Sequence, residues 1–253
     1  MMSSVRFVRP RTSGGKAGVL CGLMLAALSL TLSCTGESWE ATLAAGRQAL
    51  QQRRYVEAER LSREAVEKAE AFGPEDRRVA VSLSQLADVY AAQRRYVEAE
   101  PAYGRALKIY QSVQGEDHPD VAAILNNLGV VHRLHGQFSE AEPLLKRALA
   151  IKEKVLGPNH LEVAVTLGNL GQLYTAQGRF TEAEPYYQRA LSVREKTLGD
   201  VHPEVAKSLE DYAVLLRTMG REKEALPLES RAQGIRVKGA PPPRRTKSSD
   251  ERG

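Results

Sequence analysis

The sequence predicts an all-α chain of repeated helix pairs, and three observations carry that prediction. A motif returns at fixed intervals: RRYVEAE at 53–59 and 94–100, GQFSEAEP at 136–143, GRFTEAEP at 178–185 and GREKEALP at 220–227. Its alanine falls at Ala58, Ala99, Ala141, Ala183 and Ala225, in steps of 41, 42, 42 and 42 residues. Within a period the apolar and small residues keep helical spacing, as Leu125, Leu128, Gly129 and His132 do, and again Ala141, Leu145, Ala148 and Ile151. A short break, His135-Gly136-Gln137, separates the two stretches, so each unit is helix A, a turn and helix B. A period of this length marks a stacked architecture, because one pair cannot bury its own apolar face.

The first segment, 1–33, has the pattern of an export signal. Arg6, Arg9, Arg11 and Lys16 precede a charge-free run from Ala17 to Ser33. That run has 17 residues, short of the ~20 that a spanning helix usually needs. The ending Leu30-Thr31-Leu32-Ser33-Cys34 resembles a bacterial lipoprotein signal, in which cleavage precedes a cysteine that carries a lipid. The resemblance implies lipidation of Cys34, a tether over 34–40 and, with Thr35 rather than Asp after the cysteine, residence at the outer membrane facing the periplasm if the source is Gram-negative. Two other readings fit the same run: an uncleaved anchor with Cys34 incidental, and secretion without a lipid. Lipidation of Cys34 would leave the mature chain without a disulfide, since the other cysteine, Cys21, lies in the signal.

The repeated units occupy 41–238. Leu83, Leu125, Leu167 and Leu209 recur at the same step, as do Ala106, Ala148, Ala190 and Ala232. Small residues at Gly129 and Ala141 let the two helices approach, and Tyr90, Tyr103, Tyr174 and Tyr187 fill the space between units. The linkers QGEDHPD, LGPNHLE and LGDVHPE are periodic too. Their glycines are placed to end helix B in the left-handed conformation. Pro119 and Pro203 suit the first turn of the next helix A, where no amide bond is lost. Pro101, Pro143, Pro185 and Pro227 fall about one turn into helix B and are expected to bend or loosen it. The end units are degenerate: Ala49 stands at the Tyr90 position, and Glu229 replaces the aromatic of Tyr103 and Tyr187, as on a face with no next unit to cover it. From 239 the basic, proline-rich tail has no apolar run and is expected to be disordered.

The pattern L-x-x-L-G-x-x-Y, then G-x-[FY]-x-E-A-E-P, then A-L resembles the tetratricopeptide repeat. The 42-residue period and the Gly-x-x-His-Pro linker are similar to its kinesin light chain subclass. The resemblance implies a right-handed α-solenoid of stacked antiparallel helix pairs, about five of them, with a concave face that binds peptides or proteins.

The chemistry that the composition excludes narrows the function further. The net charge of +5 comes from the two ends: four basic residues without an acid in 1–33, and Arg244, Arg245, Lys247 and Arg252 against Asp250 and Glu251 in the tail. The body is near neutral and lacks the clustered cations that phosphates require, so no nucleic-acid partner is expected. His118, His160 and His202 recur at 42 residues and belong to the linkers. His132 takes a tyrosine position, and no third metal ligand accompanies it and His135. No nucleophile elbow, phosphate loop or zinc-protease motif occurs. The expectation is therefore no enzyme, no cofactor and no metal.

The candidate site is the face of the A helices beside the core stripe: Ala123, Asn126, Asn127, Val130 and Arg133 in the third unit. In the resembling family this stripe lines the concave groove. Across units one position reads Gln85, Asn127, Asn169 and Asp211, a ladder of amides closed by an acid. Amides donate and accept, so the ladder suits an extended peptide backbone. Ser84, Asp88, Arg133, Gln172, Glu210 and Arg217 surround it. The same amides could instead bond between neighbouring A helices, and both roles can coexist. The expected partner is another protein of the cell envelope, bound through an extended segment or a helix, with the membrane reached through the lipid. The expected function is a membrane-anchored scaffold or assembly factor; the alternative is a membrane-tethered accessory domain of a sensor or enzyme complex.

Overall fold

The computed structural model describes residues 38–239. The signal segment with Cys34 and the tail from 240 onward lie outside these residues. Among the described residues ten α-helices follow one another: α1 (Trp39–Gln51), α2 (Tyr55–Glu70), α3 (Arg77–Ala92), α4 (Tyr96–Gln114), α5 (Pro119–Leu134), α6 (Phe138–Leu156), α7 (Leu161–Ala176), α8 (Phe180–Leu198), α9 (Pro203–Thr218) and α10 (Glu222–Gly239). The odd-numbered helices are the A helices and the even-numbered ones the B helices. Each packs on its chain neighbours, and A helices of successive units also meet at α1–α3 and α5–α7. The fold is thus an α-solenoid, and none of these helices is long and apolar enough to cross a membrane.

The repeat alanines explain the crossing within each pair. Ala58, Ala99, Ala141, Ala183 and Ala225 are all fully buried. In the third unit Gly129 faces Ala141 and Leu145: a β-carbon added there would lie 2.7 Å from Leu145 Cγ and 3.3 Å from the Ala141 carbonyl oxygen. In the fourth, a β-carbon on Gly171 would meet the Tyr187 ring at 2.9 Å. The B helix carries its large residue at this point, so the A helix must carry a small one. The expected interior tyrosines are there, with Tyr90, Tyr103, Tyr174 and Tyr187 all at most 5% exposed.

The turn inside each pair is a Schellman closure. In the third unit the Gln137 N–H reaches the His132 carbonyl at 2.8 Å and the Gly136 N–H the Arg133 carbonyl at 3.1 Å. The residue between the helices needs positive φ, and Gly136, Gly178 and Gly220 supply it at 82°, 73° and 74°. In the first two units Arg53 and Arg94 hold that position at 58° and 61°, against the ordinary preference of an L-residue.

The linkers between pairs differ from expectation. Gly115, Gly157 and Gly199 do have positive φ, but their ψ values of 164°, 155° and 162° place them in the extended, glycine-only region rather than the left-handed helical one. That conformation straightens the chain after helix B instead of curling it. The linker histidines are helix N-caps: His118, His160 and His202 each accept, through Nδ1, the backbone N–H two residues on, at 3.1, 3.1 and 3.2 Å. Asp76 does the same for α3. The four interior prolines do not break the B helices, which run continuously through them. Each proline leaves open the carbonyl four residues earlier, at Val97, Ser139, Thr181 or Lys223, all exposed residues where water can take the bond.

Two glycine substitutions follow with opposite signs. Gly129→Ala must push Leu145 against a packed core and should destabilise the fold by about 1–3 kcal/mol less alanine's helical advantage. Gly104→Ala, in α4 with nothing within 4 Å of its added β-carbon, should stabilise it by up to about 1 kcal/mol. Urea unfolding midpoints of the two variants measure both.

Candidate concave binding site

The stripe beside the core forms the candidate groove. In α5 it runs through Ala123, Asn127, Val130 and Arg133, all partly exposed, and Asn126, which is 6% exposed. Two cavities lie along it. One of about 320 Å³ is bordered by α3 and α5, with Arg47, Ser84, Gln85, Asp88, Asp120 and Asn127 on its walls. The other, about 360 Å³, reaches from α3 to α7 and is lined by Tyr103, Asn126, Val130, Leu134, Val165 and Asn169 among others. Asp88 and Asn127 line both, so the two cavities adjoin there.

The amide ladder is partly tied into the scaffold. Asn169 donates to Asn126 Oδ1 across α7 and α5 at 2.9 Å, and Asn126 donates to Asn127 Oδ1 at 3.2 Å. The bonding that joins neighbouring A helices therefore exists, and it runs through Asn126 rather than straight along the ladder. Gln85 leaves the file altogether: its Nε2 donates to Ser62 Oγ of α2 at 3.2 Å, while its Oε1 is enclosed without a partner. Asp211 and Gln172 are half-buried along the same face. Arg217 is exposed and held by Glu229 through paired bonds of 2.5 and 2.7 Å. Glu210 is likewise held by Arg236, and the Ser84 hydroxyl donates to its own helix at Ala80.

Burial governs the ionisation of the groove residues. It pushes the Asp88 carboxyl above the ordinary range, although the Tyr103 hydroxyl bonded to Oδ1 and the nearby Arg47 pull the other way. It raises Asp211 too, against Lys207 and Arg194. It lowers the half-buried Arg133 guanidinium, whose enclosed Nε has no hydrogen-bond partner. Sequence reasoning missed the part played by Arg47, Asp120, Leu134 and Val165. Arg47 occupies the Asp88 register and Val165 that of Ala123, one repeat away, so the period held a usable signal. Among the described residues no three His, Cys, Asp or Glu side chains cluster as metal ligands would.

Charge clamps tie the B helices to the units that follow them. Glu142 of α6 accepts from the Tyr174 hydroxyl at 2.8 Å and from Arg179 at 2.9 Å, both in the next unit, and from Lys146 at 2.6 Å. Arg179 also lies over the Tyr174 ring, 4.3 Å from its centre. Glu184 is held in the same way by Arg221 at 2.7 Å and the Tyr212 hydroxyl at 2.6 Å, and Glu59 by Arg95. Between the second and third units Gln137 stands at the arginine position and bonds His132 at 2.8 Å instead.

The tetratricopeptide repeat family profile matches residues 39–112, 78–154, 140–195 and 162–236. The crystal structure of BtubC (BKLC) from P. vanneervenii is similar, with 27% identity and a TM-score of 0.70 over 83% of this chain and 85% of that one. A putative kinesin light chain from Podospora anserina, with nearly identical repeats, is 25% identical over 79% of this chain and 95% of that one, with a TM-score of 0.66. A Rap protein complexed with Competence and Sporulation Factor shares the fold at 17% identity and a TM-score of 0.68, over 79% of this chain and 54% of that one. No curated protein matches the chain.

The clamps make stability depend on pH in a stated direction. Lys146 first, then Tyr174 and Arg179, hold the Glu142 carboxyl at about 2, below its ordinary 4.5. A depressed carboxyl stabilises the fold fully above its unfolded value and loses that contribution as pH falls through the folded one. Glu142→Gln should therefore be less stable than the parent above about pH 4.5, and the gap should close toward pH 2. Urea midpoints of both proteins across that range measure it.

Proposed function

We propose that this chain, which belongs to the tetratricopeptide repeat family, is a membrane-anchored scaffold of the cell envelope that holds a partner segment in its concave groove. The fold is that of a protein-interaction scaffold. One observation supports the groove most strongly: two adjoining cavities run along the A helices, walled by amides and by the apolar Val130, Leu134 and Val165. Such a surface suits an extended segment, whose backbone needs donors and acceptors and whose side chains need apolar contact. The same fold in the Rap protein accommodates a bound factor. The anchor rests on the charge-free run that ends in Ser33-Cys34.

Two results test this reading. Asn127→Ala combined with Asn169→Ala should weaken partner binding at least tenfold, because backbone groups left unpaired in a buried contact cost about 1–3 kcal/mol each. Circular dichroism should show the helices retained. Normal binding by the folded double variant, with loss in an outer-face variant such as Arg147→Ala, would move the site to the B helices. For the anchor, mass spectrometry of the mature N-terminus should show a chain that begins at acylated Cys34. An intact Met1 or a free Cys34 thiol would remove the lipid from the account. A single acyl chain holds only marginally, so two or three are expected.

A further inference from the structure

The adjoining cavities are not chemically uniform. The wall of the one between α3 and α5 carries two carboxylates: Asp88, of which Tyr103 occupies only Oδ1, and Asp120, whose Oδ2 also accepts from Arg77 at 3.0 Å. Between these acceptors and the apolar Val81, Ala123 and Ile124 there is room for an aliphatic stem with a charged head. One helix along, on α5, Arg133 presents the opposite charge. It is half-buried, its Nε is enclosed and unbonded, and the groups that bear on its charge are the tyrosines Tyr187 and Tyr96 rather than a carboxylate. A half-buried cation without an anion is partly desolvated at a cost, and a partner's carboxylate would relieve it.

We infer that the groove reads charge: the cavity between α3 and α5 takes a lysine or arginine side chain of the bound segment, and Arg133 takes an aspartate or glutamate of the same segment. This rests on the groove reading given above and names the chemistry of its partner. Arg133 sits about one turn beyond the level of Asp88, on the far side of a cavity that holds α3 and α5 further apart than the 8–10 Å of packed helices, so the two subsites are at least roughly 10 Å apart. An extended chain covers that in roughly two to four residues, with the long side chains taking up the difference. Arg47, exposed at the mouth of the cavity and within electrostatic reach of Asp88, is the charge that the incoming cation displaces.

The probe is a library of random 12-residue peptides displayed on phage and selected against the full chain. Selected sequences should be enriched in Lys or Arg separated by two to four residues from Asp or Glu. Asp88→Asn should abolish the basic preference and keep the acidic one, and Arg133→Gln should do the reverse. Asn at 88 still accepts from Tyr103, so the fold is kept, and melting curves verify this for both variants. Titration of one selected peptide should lose at least tenfold in affinity with either variant and gain with Arg47→Ala. Enriched sequences without the charge pair, or a pair unchanged by both variants, would overturn the inference. The Asn127→Ala, Asn169→Ala protein separates the two levels. If it stops selecting while the parent's peptides show no charge pair, the groove stands and the charge reading falls. If it selects the same peptides as the parent, the groove reading falls and takes this one with it.

Discussion

The close approach of helix A to helix B, permitted by a small residue on one side, sets every other dimension of the stack. Where α6 carries Leu145, α5 carries Gly129; where α8 carries Tyr187, α7 carries Gly171. The fully buried repeat alanines complete the same crossing from the B side. With that separation fixed, the core stripe of each A helix is used up within its own pair and against the preceding B helix. The neighbouring stripe has no B helix to meet, and it becomes the groove. The site is thus a by-product of the packing, and its spacing is inherited from the period.

The junctions between units add polar definition to apolar contact. Glu142 with Arg179 and Tyr174, Glu184 with Arg221 and Tyr212, and Glu59 with Arg95 each tie a B helix to the turn of the following unit. Exposed ion pairs alone contribute little. These carboxylates are partly enclosed and collect two or three donors each, and such networks hold geometry better than single pairs. The junction between the second and third units lacks the arginine: Gln137 stands there and bonds His132 of its own unit. Both cavities lie on that stretch of the groove, between α3 and α7.

The period and the register were legible because they repeat: the helix pairs, the buried stripe and the groove stripe follow from counting in steps of 42. What could not be counted was what a residue does with its side chain once the units stack. The linker histidines stood out by recurrence, but capping through Nδ1 needs the backbone N–H of the next helix in place. Arg53 and Arg94 hold positive φ, which no property of arginine signals; only the glycines at 136, 178 and 220 hint at it. Glu142 and Arg179 lie 37 residues apart, and nothing local links them. The amide ladder was found by register, yet Gln85 turned inward to Ser62 because Gly46 leaves room there.

Function follows from what the packing leaves uncovered. The A-helix face keeps amides and a half-buried acid at the walls of two adjoining cavities, with the half-buried Arg133 beside them, while many exposed charges of the B helices are paired. The most direct measurement of this account is site-specific photo-crosslinking in native cells, with a photoreactive residue in place of Val165 on the groove or Ala150 on the exposed side of α6. The account predicts a crosslinked partner from position 165 and none from position 150. A crosslink from position 150 with none from position 165 would contradict it.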